Sequence, residues 1–139
     1  MVSKIQVQLR YIIIYSGTTV ENYRTCVFID HGKVFFDKRR EPRHQHRRFY
    51  FDKSFSTATL FALDCANSRI HEHTPLLMEG YLLEDLLQGY GSLDVGELFP
   101  VGKVWVPKAE IDWHHLRPFM DKDLKDKFIE LDPKELLSK

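Results

Sequence analysis

The sequence predicts an α+β fold: an antiparallel sheet of four to five strands from the N-terminal third, with helices from the C-terminal two-thirds packed on one face. Three observations lead there. Residues 4–16 alternate with a period of two. Short β-branched and aromatic runs, separated by turn residues, continue as far as Asp52. From Ser54 onward the apolar residues recur at helical spacing instead.

The first strand is expected over residues 4–16. Ile5, Val7, Leu9, Tyr11, Ile13 and Tyr15 share one face; Gln6, Gln8 and Arg10 share the other with Ile12 and Ile14. Its second half is therefore apolar on both sides and should lie under a helix or a partner. Ser16-Gly17-Thr18-Thr19 reads as a turn. Residues 24–29 and 33–36 read as a pair of strands joined by Asp30-His31-Gly32, which has hairpin chemistry. Residues 48–52 read as a fourth strand.

Ser54 or Ser56 can cap a helix running to about Ala66, with Phe55, Ala58, Ala62 and Cys65 on one stripe, widened by Leu60, Phe61 and Leu63. A second helix is expected over 79–88, where Leu82 with Leu86 and Leu83 with Leu87 form paired ridges, ending at Gly89 and Gly91. Residues 93–101 read as loop and 103–106 as a short fifth strand stopped by Pro107. Pro118 interrupts 112–120. A solvent-facing helix is expected over 121–131, with Asp121–Lys125 and Asp123–Lys127 pairs outside and Leu124, Phe128 and Leu131 inside. Asp132-Pro133 begins a last helical turn.

At 139 residues with 43% apolar content, the chain predicts a single domain over 1–139: a β-meander with a basic arm in 1–53 and a mainly helical part in 54–139. The formal net charge is zero, yet its placement is uneven. Residues 1–53 hold eleven Lys/Arg against five Asp/Glu, and residues 54–139 hold nine against fifteen. Such a polar molecule can associate basic arm to acidic helix, and a homo-oligomer is one expectation. Cys26 and Cys65 make no disulfide framework and read as reduced, buried thiols of an intracellular, cytoplasmic protein. No apolar leader is visible in residues 1–9, and the apolar run 11–15 is too short to span a bilayer, so no membrane role is expected.

The chemistry concentrates in residues 38–48. Lys38, Arg39, Arg40, Arg43, Arg47 and Arg48 lie there, and Glu41 is the sole acid between Asp37 and Asp52. Arginine outnumbers lysine, which favours forked contacts to phosphate or carboxylate. Tyr50, Phe49 or Phe36 would supply a stacking ring. The expected function is a small non-enzymatic binding protein that contacts nucleic acid or a nucleotide through this arm. The alternative is an assembly, adaptor or inhibitor subunit, of a viral particle for instance, whose arm docks on an acidic protein surface.

A third reading is a His-dependent or metal-dependent hydrolase. His44 with His46 and His71 with His73 have the H-x-H spacing that suits a metal ion on a strand. His71-Glu72-His73 and Asp112-Trp113-His114-His115 offer groups for acid–base work. No G-x-S-x-G, P-loop or G-x-G-x-x-G sequence is present, so no cofactor is expected and no nucleophile stands out. Tyr90, Phe99, Trp105 and Trp113, between glycines and prolines, read either as an interface or as lids on the core edge.

Overall fold

The computed structural model describes residues 10–41, 49–68, 73–84, 92–93 and 98–137. In chain order these form β1 (Tyr11–Thr19), α1 (Val20–Cys26), β2 (Val27–Asp30), β3 (Lys33–Asp37), β4 (Phe49–Tyr50), α2 (Phe55–Asn67), β5 (Pro75–Leu83), β6 (Ser92–Leu93), β7 (Leu98–Val101), β8 (Lys103–Pro107) and β9 (Phe128–Leu131). Short 3₁₀ turns cover Lys38–Arg40, Trp113–His115, Leu124–Lys127 and Glu135–Leu137.

Two antiparallel sheets and α2 make three layers. Sheet A has the order β1-β5-β8-β9; sheet B has the order β2-β3-β7; β4 and β6 form a separate two-stranded pair. The core between the sheets contains Ile14, Leu76, Met78 and Val104 from sheet A and Val27, Val34, Phe36, Phe99 and Val101 from sheet B. On the other face of sheet A, Tyr15, Leu77, Trp105 and Phe128 pack with Ala58, Ala62 and Leu63 of α2 and with Leu116 and Leu124. Burial on this scale, about 25 cal/mol per Å² of apolar surface, stabilises the stack.

Several expected elements are realised. β1 is buried on both faces at Ile14 and Tyr15, with the second core and α2 on one side of it. The β2–β3 hairpin turns through His31 and Gly32, both at positive φ (49° and 77°), the signature of a type I′ turn. Ser54 caps α2 by accepting the Thr57 N–H. β8 occupies the expected fifth-strand segment.

The α+β expectation of one N-terminal sheet and a helical remainder is overturned: sheet A draws strands from the whole length of the chain, and the 13-residue α2 sits mid-chain. The segment expected as a helix from Glu79 is β5 as far as Leu83; residues 85–91 lie outside the described residues. β5 is central, between β1 and β8, and every residue from Pro75 to Gly80 is buried. A strand covered on both faces loses its alternation, and its leucines then mimic helical spacing. Gly80 is needed there because a Cβ would come within 2.6 Å of the Pro100 carbonyl oxygen and 2.9 Å of the Phe99 ring.

The expected turn at 16–19 is instead the end of β1. Gly17 permits α2 to lie directly on the strand, since a Cβ would stand 2.4 Å from the Ala58 oxygen and 2.5 Å from the Ala62 nitrogen. The strand expected from Arg24 begins at Val27, because Thr19 caps α1 first, accepting the Asn22 N–H. Residues 98–101, expected as loop, are β7, completing sheet B beside β3. The expected helix over 121–131 is a 3₁₀ turn followed by β9. Leu124 and Phe128 do face inward, but from two elements, because Phe128–Leu131 pair with β8. On α2, Leu60 and Phe61 are exposed while Thr59 and Ala66 are buried, so the apolar stripe is narrower and rotated. Phe99 and Trp105 are core rather than interface.

Candidate ligand-binding face

The site grows from the alternation of β3. Val34 and Phe36 point into the core; Lys33, Phe35 and Asp37 point the other way. The two-residue turn at His31-Gly32 sets the register, so Phe28 lies opposite Phe35, and Pro100 of β7 flanks Phe35 on its other side. The two phenyl rings stack, with centroids 5.7 Å apart and planes 25° from parallel. Both are half-buried. From Lys33 to Asp37 the row spans about 13 Å at ~3.3 Å per residue.

Asp37 closes β3 and caps the Lys38–Arg40 turn. Its Oδ1 accepts the Arg39 backbone N–H at 3.0 Å and Arg39 Nε–H at 2.9 Å, and its Oδ2 accepts Arg39 Nη2–H at 3.0 Å. The Arg39 hydrogen bonds hold the Asp37 carboxyl below the usual carboxylate range, against the opposing effect of its burial. Arg40 Nε stands 3.9 Å from Asp37 Oδ2, and its guanidinium lies 4.7 Å from the Phe28 ring centre. The side chains of Arg39 and Arg40 remain 62% and 48% exposed. Two guanidinium groups are thus positioned by one carboxylate at the edge of an aromatic platform.

The arm root is braced from behind. Asn22 Nδ2–H donates to both Thr18 Oγ1 and Glu41 Oε1 at 3.0 Å. Beneath it, burial pushes the Cys26 thiol up to about 12, with the charges of Glu41 and Asp37 adding to the effect. Cys26 is buried as expected, whereas Cys65 is half-buried; neither is in a disulfide. At the opposite end of the row, an open groove of about 350 Å³ is lined by Lys33, Phe35, Tyr81, Pro100, Pro133 and Lys134, among others.

Of the expected contact residues, Lys38, Arg39 and Arg40 are therefore together at the end of β3. Arg43, Arg47, Arg48, His44, His46, His71 and the side chain of Tyr50 lie outside the described residues. Phe36, named as a possible stacking ring, is core and cannot stack on a ligand. The rings on the outer face are Phe28 and Phe35, which sequence reasoning passed over. The signal was present: a two-residue turn with Asp30 opposite Lys33 places Phe28 against Phe35 on the face away from Val27 and Val34.

The hydrolase candidates come together less well. His73 Nδ1 is buried without a hydrogen-bond partner, 3.8 Å from Glu21 Oε2. Asp112 bridges two imidazoles, His114 Nδ1 at 2.9 Å and His115 Nδ1 at 3.0 Å, and Trp113 stacks on His114. The hydrogen bond from His114 is the main reason the Asp112 carboxyl titrates low. This trio is on the surface. Among the described residues, no three His, Cys, Asp or Glu side chains converge as metal ligands. Among them, too, no helix is long and apolar enough to cross a membrane. Comparison with protein families, characterised proteins and solved structures finds no match to this chain.

Proposed function

We propose that this is a non-enzymatic binding protein for single-stranded nucleic acid or a nucleotide. Bases stack on Phe28 and Phe35, and phosphate oxygens are held by Arg39 and Arg40 with Lys38 beside them. Arg43, Arg47 and Arg48 extend the phosphate contact along the arm. The observation that carries the reading is the outward Phe28–Phe35 stack with Arg40 over the Phe28 ring and Arg39 forked on Asp37.

Ring faces on an outer sheet surface accept any base, each stacked base contributing about 1–3 kcal/mol. Asp37 orients Arg39 through Nε and Nη2, and the Arg39 side chain stays largely exposed. An arginine already held in place loses less side-chain entropy when an anion arrives. Lys38, Arg39 and Arg40 outnumber Asp37 and Glu41, so the root keeps a positive balance.

The test is fluorescence anisotropy of a labelled oligo(dT) of roughly ten nucleotides, within the range a single small domain covers. Wild type should bind at low salt and release as salt rises. Phe28→Ala with Phe35→Ala should weaken binding by about ten-fold or more. Arg39→Ala with Arg40→Ala should flatten the salt dependence, the slope falling by about 0.7 per lost phosphate contact. No binding at low salt, or equal binding by the folded double-Phe variant, would sink the proposal. Preference for poly-glutamate over oligo(dT) would replace it with an acidic protein partner.

A further inference from the structure

We propose that Tyr15, Phe55 and Trp105 form a second binding site, for a quaternary or methylated ammonium group, and that the Lys125 side chain is its intramolecular occupant. The site lies behind sheet A, on the face opposite the phenyl platform. Tyr15 of β1 and Trp105 of β8 stand on either side of central β5. Phe55, the first residue of α2, closes the corner. Its ring meets Tyr15 at 82° and 5.3 Å and Trp105 at 85° and 5.5 Å, and its other edge packs on Phe128.

The Lys125 ammonium sits inside this corner. Its Nζ is 4.8 Å from the Trp105 ring centre and 5.6 Å from those of Tyr15 and Phe55, and it donates to Tyr15 Oη at 3.2 Å. Rings at right angles around a cation are the arrangement that selects ammonium groups through their quadrupoles. Glu79, opposite Tyr15 on the same face of the sheet, strengthens the field. Trp105 Nε1–H donates to Glu79 Oε1 at 3.1 Å, and Glu79 is only 3% exposed. A carboxylate accepting the indole proton makes the ring face more negative.

Lys125 is a poor permanent guest. A primary ammonium is compact and strongly hydrated, whereas a trimethylammonium group is larger and less costly to strip of water. The turn Leu124–Lys127 is held without it: Leu124 is buried, and Lys127 contacts Asp121 at 3.4 Å and Asp123 at 3.8 Å. The sequence offers Asp121 as an i,i+4 partner for Lys125, yet among the described residues Lys125 has no carboxylate partner; it turns to the rings instead. Lys125 is itself exposed, so its withdrawal would open the ring faces to solvent.

Choline and its neutral isostere 3,3-dimethylbutan-1-ol are the probes, followed by tryptophan fluorescence and calorimetry on the full chain. Lys125→Ala should bind choline on the order of ten-fold more tightly than wild type, with no comparable gain for the neutral alcohol. Adding Phe55→Leu or Trp105→Leu to Lys125→Ala should abolish the choline signal; two wall variants guard against one that fails to fold. The proposal is overturned if natively folded Lys125→Ala binds choline no better than wild type. It is equally overturned if the alcohol binds as tightly as choline, since the box would then be merely apolar.

Discussion

On the outer face of sheet B, Arg40 lies over Phe28, and both cation and ring can be reached from solvent. Behind sheet A, Lys125 lies over Trp105, and that ring is buried. The two pairings are chemically alike and mechanically different. Arg39 and Arg40 are oriented by a carboxylate, so the platform stays assembled when nothing is bound. The aromatic box is assembled by the core itself, and its cation is the replaceable part. Changes to the outer platform should therefore cost binding with little stability, whereas changes to the buried walls of the box should cost both.

The adjacent residues Phe35 and Phe36 test this most sharply. Phe36→Ala removes a ring at the centre of the inter-sheet core and should cost about 3–5 kcal/mol in urea unfolding. Phe35→Ala should cost far less and weaken oligo(dT) binding; similar losses from the two would refute the inward and outward assignment. Gly17→Ala should cost about 3 kcal/mol by forcing α2 off β1. Its tryptophan emission should shift while the phenyl platform keeps its affinity.

Asp37→Asn comes next, at about 1 kcal/mol from weakened hydrogen bonds to Arg39. Because the folded Asp37 titrates below its unfolded value, its contribution is full above about pH 4 and lost as pH falls through the lowered folded value. The wild type minus Asp37→Asn stability difference, followed by urea unfolding from neutral pH downward, should shrink across that window. A difference constant with pH would show the fork to be unimportant. Lys125→Ala should change stability least, by about 0.5–1 kcal/mol. A larger loss would mean that the lysine pins the turn rather than occupying a site.

How much of this could be read beforehand depended on how local the cause was. The β2–β3 turn follows from Asp30-His31-Gly32, and the α2 start from Ser54, because a few neighbouring residues decide each. β5 looks helical in the sequence because its leucines carry no period of two once both faces are covered. Residues 121–131 look helical in the sequence because Leu124 and Phe128 share a core without sharing a helix. At the candidate site, the arginines of the arm root were legible as charge. The partnership of Arg39 with Asp37 and the outward turn of Phe28 and Phe35 needed the strand's end and register.

The order of residues by itself determined the hairpin, the cap of α2, the apolar double face of β1 and the concentration of cations after Asp37. Each is a short-range matter of φ preference, side-chain period or charge. Only the tertiary structure decided which strands are neighbours, that segments from Tyr11 to Leu131 build one sheet, and which rings face a cation. The physical reason is that burial is a property of what lies across from a residue. For Tyr15, Phe55, Trp105 and Lys125, what lies across comes from four separate parts of the chain.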